Sequence, residues 1–199
     1  MGRPREVTDE KIVVAARRCF LKRGAGVSAV DIAKELGVSH TTLFNRFGSK
    51  EGLMLAALGP PTEKIAWVAA LEEGPDERPI REQLVAHARV MSTYFQDLQA
   101  GFGVLQAAGI DVAKAYKKTK GGSAPEQAYD ALVGWLERAQ KRGRLGACDV
   151  HTLASTLLGA LQGWAFTVRV CGLPSSNAAA KDYVERLIDL LWNGVGDGK

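Results

Sequence analysis

The chain has 199 residues with 26 Lys or Arg against 22 Asp or Glu, a formal net charge of +4. That length accommodates one or two compact units with a sizeable core. No apolar run reaches the length of a membrane span, and the opening MGRPREVTDEK lacks the apolar stretch of a secretory leader. The three cysteines, Cys19, Cys148 and Cys171, are odd in number and have no metal-ligand spacing. They argue against a disulfide scaffold and for a reducing, cytoplasmic setting. Charge is uneven along the chain. Residues 1–50 carry ten basic side chains against five acidic ones, and residues 51–199 carry sixteen against seventeen. The basic excess therefore sits at one end, as phosphate binding would require.

Residues 1–8 read as a basic arm in which Arg3 and Arg5 suit a phosphate or minor-groove contact, or as a frayed end. A first helix is expected over 9–23, capped by Thr8 or Asp9 and stopped by Gly24 and Gly26. Ile12, Ala15, Ala16, Cys19 and Phe20 give it one apolar face, with Cys19 a small core residue. A second helix, 28–36, starts at Ser28 with Asp31 three residues later as a weak capping-box acid. Its Ile32, Ala33 and Leu36 face inward, and Gly37 turns the chain through a left-handed conformation. A third helix, 39–47, is capped by Ser39. Its Leu43 and Phe47 point to the core, which leaves His40, Thr41, Thr42, Asn45 and Arg46 for solvent or DNA. Gly48 ends it and Ser49 caps the next. Lys50 opposes the helix dipole there, a balance that a bound phosphate would reverse.

The fourth helix is expected from Lys50 to about Glu72, interrupted or bent at Gly59, Pro60 and Pro61. Residues 72–79 read as a solvated charged turn. Helices then follow over 80–99, 104–108, 111–118 and 126–142, with breaks at Gly101 and Gly103 and a loop at 119–125. Two long apolar helices, 149–171 and 178–193, close the chain. Gly159 and Gly163 lie on one face of the first of them, and close approach by another helix would compensate their low helix propensity. Together these two helices carry more apolar surface than one small bundle needs, so an interface is expected. No strand pattern survives, and the fold class is all-α. A three-helix helix-turn-helix domain (1–53) precedes a helical-bundle domain (54–199).

The stretch Val30–Leu53, VDIAKELGVSHTTLFNRFGSKEGL, sets a short helix, a Gly turn, a second short helix and a third helix start in sequence, the layout of a duplex-DNA reader. Residues 9–55 resemble the N-terminal domain of the TetR family of bacterial transcriptional regulators. The resemblance is carried by AARRCFLKRGAG, DIAKELGVS, the aromatic Phe44 and FGSKEGL. Two positions depart from the common pattern: Phe44 stands where Tyr is usual, and Arg46 where His is frequent. LLGALQGWAFTVRVCG (157–172) is similar to the penultimate helix of many members.

The resemblance implies a homodimer on a palindromic operator, with two copies of the third helix in successive major grooves. Thr41, Thr42, Asn45 and Arg46 are the candidates for base edges, since Arg bridges guanine O6 and N7 and Asn pairs with adenine. Ser39, His40, Phe44, Lys50, Arg3 and Arg5 are assigned to the backbone, where contacts orient the protein without specifying sequence. The dimer face is assigned to Leu157, Leu161, Trp164, Val168, Val184, Leu187 and Leu191. An effector, apolar or aromatic, is expected among Trp67, Met91, Tyr94, Phe95, Phe102, Trp135 and Phe166. Its binding would favour a dimer with the wrong reader spacing and release repression.

Three other readings compete. An enzyme is disfavoured: His40, His87 and His151 have no metal or dyad spacing, and no cysteine pair or phosphate-cradling Gly loop is present. No cofactor or metal is expected. A DNA-binding repressor without a ligand, or an activator, would share the same reader. A redox sensor built on Cys148 and Cys171 would need two thiols near opposite ends of one helix to meet.

Overall fold

The computed structural model describes residues 7–60, 65–115, 123–173 and 176–194. Among them are nine α-helices, one 3-10 turn and no strand. The expected arm residues Arg3 and Arg5 lie outside the described residues. The chain divides into two compact units, one of Met1–Pro61 with Ala100–Lys117, the other of Thr62–Gln99 with Lys118–Lys199.

In the first unit, α1 (Asp9–Arg23), α2 (Ala29–Leu36), α3 (His40–Phe47) and α4 (Lys50–Leu58) follow the sequence signals closely. The reason is local. Thr8, Ser28, Ser39 and Ser49 each accept a backbone N–H of the following helix, satisfying donors that a helix start otherwise leaves bare. Gly37 takes the left-handed conformation at φ 67°, and the Val38 N–H returns to the Ala33 carbonyl at 3.0 Å, closing α2. Ile12, Phe20, Ile32, Leu43, Leu53 and Leu58 are buried almost completely.

The second unit packs α5 (Ala66–Glu73), the first part of α6 (Ile80–Ala107), α7 (Ala124–Lys141), α8 (Val150–Cys171) and α9 (Asn177–Asn193) around Leu71, Trp135, Leu136, Leu157, Leu161 and Ile188. Arg81 pairs with Asp189 and Arg89 with Glu185, so α6 is tied to α9 along one side.

Three expectations are corrected here. The helices expected over 80–99 and 104–108 are one helix, α6, that runs through Gly101 and Gly103. Packing overrides propensity at this point. Phe102 and Leu105 are buried, and a Cβ on Gly101 would stand 2.4 Å from the Leu58 carbonyl oxygen, so only glycine admits the contact. The helix expected over 111–118 is a 3-10 turn at Val112–Ala115, and 116–118 lie outside the described residues. The helix expected from Glu126 starts at Ala124, because the Glu126 carboxylate accepts the Ser123 N–H at 2.5 Å and Pro sits in the first turn.

The charged turn is a further departure, since it is not simply solvated. Arg138 donates to the Leu71 carbonyl at 2.7 Å, Arg142 to Pro75 at 2.5 Å, and Arg144 to Asp76 and Arg78. The buried Gln83 donates to the Asp76 carbonyl and accepts the Asp76 N–H at 2.9 Å. Arginines from the end of α7 and just beyond it thus occupy the carbonyls of a segment some 67 residues earlier.

Candidate nucleic-acid interface

The α3 helix is anchored by few side chains, which frees most of its surface. Leu43 is its one buried residue, and Phe47 is half-buried. Around it the scaffold is braced from three sides. Glu35 of α2 accepts from Arg18 at 2.8 Å, from Arg23 at 3.3 Å and from the Cys19 thiol at 3.1 Å, joining α1 to α2. Burial and the Glu35 carboxylate both push the Cys19 thiol up from its ordinary range, so it is protonated and inert as a nucleophile. Arg17 donates to the Ala57 carbonyl at 3.0 Å and ties α1 to α4. Gly52 lets α4 start directly beneath α3, since a Cβ there would stand 2.1 Å from the Phe47 carbonyl oxygen.

On this scaffold the residues assigned to DNA fall into three groups. Thr41 and Asn45 are exposed and one turn apart, so they share a face. His40 and Phe44 are exposed beside them and meet edge to face at 6.3 Å between ring centroids. Phe44 keeps 41% of its surface exposed although it is a large aromatic.

Thr42 and Ser39 are committed to the helix start. The Ser39 hydroxyl accepts the Thr42 N–H at 3.1 Å, and the two hydroxyls lie 2.9 Å apart. Arg46 and Lys50 have partners within the protein. Arg46 donates to the Val7 carbonyl and to Asp9 at 3.0 Å, and Lys50 donates to the Ala25 carbonyl at 2.6 Å. Sequence reasoning missed these two links, because periodicity carries no information on long-range polar contacts. The one hint was Lys50 itself, a cation at a helix start, which gains a carbonyl partner instead of a bare dipole.

The residues assigned to an effector do not form one set. Trp67, Tyr94 and Phe95 meet edge to face at 5.5–6.4 Å between centroids, with Met91 buried in the same core. Trp135 is buried in that core against His87, at 5.4 Å. Phe102 belongs to the first unit, and Phe166 is exposed on α8. Of the residues assigned to a dimer face, Leu157, Leu161, Val168 and Val184 are buried within the single chain. Trp164 stacks on Tyr183 at 4.3 Å, and Leu187 and Leu191 are half-buried. Phe166 and Val170 on α8 and Leu190 and Trp192 on α9 are exposed instead. Gly159 and Gly163 are also exposed, and nothing lies within 4 Å of where a Cβ would stand.

Among the described residues, no helix is long and apolar enough to cross a membrane, and no group of His, Cys, Asp or Glu is set to hold a metal.

Comparison with known proteins agrees with this arrangement. Residues 12–57 match the model of bacterial regulatory proteins of the tetR family, and residues 118–193 match that of the C-terminal domain of AefR-like transcriptional repressors. An uncharacterized HTH-type transcriptional regulator of Mycobacterium bovis is 26% identical over 159 residues, covering 79% of this chain and 80% of that protein. The HTH-type transcriptional repressor BdcR of Escherichia coli is 36% identical over 87 residues, 42% of this chain and 43% of that protein. The crystal structure of a TetR transcriptional regulator from Streptomyces coelicolor superposes with a TM-score of 0.61 at 25% identity, over 93% of this chain and 98% of that one.

Proposed function

Because the chain belongs to the TetR family of bacterial regulatory proteins, and is therefore a DNA-binding transcriptional regulator rather than an enzyme, we propose that it is a repressor. In this reading it acts in the cytoplasm, binds a palindromic operator as a homodimer and is released by a small molecule. Repression is supported by the repressor C-terminal model that residues 118–193 match. The homodimer is supported by the apolar side chains left bare on α8 and α9, Phe166, Val170, Leu190 and Trp192, which a second copy would cover.

The observation that carries the reading is the exposed face of α3. Thr41 and Asn45 are exposed, one turn apart, on a short helix whose one fully buried side chain is Leu43. Two such helices, one DNA turn apart, would enter successive major grooves. Asn45 then reads adenine, and Arg46 reads guanine after exchanging Asp9 for the base edge. His40, Phe44 and Ser39 position the phosphate backbone.

Selection of binding sites from random duplex DNA tests this directly. An inverted repeat is expected, with half-sites one turn apart. Asn45→Ala should relax one position of each half-site and weaken binding about tenfold or more, for a bidentate contact worth roughly 1–3 kcal/mol. Binding without sequence preference, lost steeply with salt and indifferent to Asn45→Ala, would leave only phosphate attraction.

A further inference from the structure

The interior of the second unit contains a polar group with no partner. The indole N–H of Trp67 is buried and has no acceptor among the described residues. Buried donors in folded proteins are nearly always paired, and an exception calls for something that completes it. The neighbours of Trp67 cannot. Phe95 and Met91 have no oxygen or nitrogen in their side chains, and Tyr94 meets Trp67 ring to ring at 5.8 Å without a hydrogen bond to its nitrogen. The indole of Trp135 is unpaired too, with His87 edge to face at 5.4 Å between ring centroids, but Trp135 is completely enclosed by the core.

The place is also accessible in a way that Trp135 is not. Tyr94 and Ile65 are only partly buried at the edge of this cluster. The α5 helix that carries Trp67 has eight residues, and its N-cap is Ile65, whose side chain cannot cap it. A short helix without a side-chain cap frays at its start more readily than a capped one, and Trp67 stands in that first turn of α5.

We propose that the effector is a neutral, largely apolar or aromatic molecule whose carbonyl, ester or ether oxygen accepts the indole N–H of Trp67, with its body against Tyr94 and Phe95. This rests on the effector reading above and names its chemistry. The two rings set against Trp67, those of Tyr94 and Phe95, carry no charge, and a neutral body matches them. A carboxylate or ammonium buried there would lose its hydration without gaining a counter-charge. An oxygen acceptor distinguishes the effector from a plain hydrocarbon, which would fill the space and leave the donor unpaired.

Benzophenone and diphenylmethane are the probes, because they differ only by a carbonyl in place of a methylene. Binding is followed on the full-length chain by the indole N–H resonances of its four tryptophans, assigned with Trp→Phe variants. Benzophenone should move the Trp67 resonance and bind about fivefold more tightly than diphenylmethane, the worth of one ordinary hydrogen bond. Trp67→Phe should abolish that preference, bringing the two affinities together, and Trp135→Phe should keep it. Irradiation of bound benzophenone in the unaltered protein should place the adduct on α5 or on the Tyr94–Gln96 turn of α6, a readout that needs no variant to fold. Equal affinity for the two probes, binding by neither, an adduct elsewhere, or a preference that survives Trp67→Phe would each overturn the proposal. Release from operator DNA is measured separately. A probe that binds at Trp67 without releasing DNA would sink the effector reading alone. A molecule that releases DNA without moving the Trp67 resonance would sink this assignment and leave release standing.

Discussion

The two units meet the same requirement, a buried apolar core, with a different balance of contacts. In the reader every helix start is fixed by a near neighbour in sequence, and its polar ties reach at most about forty residues. Four helices are each started by a side chain three residues from the N–H it accepts, and much of the α3 surface is left exposed. In the body the determining contacts join distant segments. The carbonyls of the α5–α6 turn are held by arginines roughly 67 residues later, and α6 is joined to α9 by ion pairs about 100 residues apart. The difference teaches where function is built. A surface meant to touch DNA is set by a stiff, locally specified frame. The core of the body rests instead on contacts between distant segments, which a molecule bound there as proposed above would compete with.

That contrast can be broken most directly with glycine. An alanine inside an ordinary helix gains about 1 kcal/mol over glycine. Gly52→Ala should instead lose about 1–3 kcal/mol by overpacking, because its methyl would meet the Phe47 carbonyl at 2.1 Å. Thermal unfolding should fall by several degrees, with DNA binding lost alongside; a rise would show that α3 and α4 are not closely set. In the body, Arg138→Met would remove the charged donor that the Leu71 carbonyl accepts beside the Gly74 N–H, together with the contact to the Glu72 carbonyl. A loss of about 1–3 kcal/mol is expected, read by denaturant unfolding, and an unchanged midpoint would show that water serves those carbonyls equally well.

The same glycine change in the body should have the other sign. Gly163→Ala meets nothing within 4 Å, so the single chain should gain about 0.5–1 kcal/mol. If α8 packs against its copy, the added methyl should at the same time weaken association. Sedimentation over a dilution series, run beside thermal unfolding, separates the two, and unchanged association would move the proposed dimer face elsewhere.

The smallest effect concerns pH. Burial, with the Arg78 charge acting in the same direction and Asp76 opposing, holds the His87 imidazole below its ordinary range. Above about pH 6.5 the ring is neutral in both folded and unfolded chains and its contribution is complete. As pH falls below that value the unfolded chain takes the proton first, so stability declines toward the lowered folded value. His87→Phe should flatten this part of the stability profile, and an unchanged slope between pH 6.5 and 5 would assign the decline to other groups.

Much of this was legible from the chain alone, in proportion to how local the cause was. The caps, the Gly37 turn and the face of α3 follow from signals within four residues. The interruption at Gly59 and Pro60 was equally visible. The continuity of α6 was not, because the glycines that argue for a break are there to admit the Leu58 backbone, a partner more than forty residues away. The partners of Arg46 and Lys50 escaped for the same reason, as did the inward turn of Leu157, Leu161 and Val184. An apolar stripe shows that a helix has something to cover without showing whether its own chain or a copy covers it.

The passage of α6 from one unit to the other bears on how the protein can be taken apart. The motif that carries the family resemblance is contiguous, but the folded reader is not: it includes residues 100–117, with Phe102 and Leu105 buried and Gly101 against Leu58. A fragment cut at Pro61 would lack those side chains and expose the surface they cover. Grafting this reader onto another regulator therefore means transplanting two segments, or retaining the whole of α6. The DNA-binding head of this chain is thus a two-segment unit and not an excisable N-terminal piece.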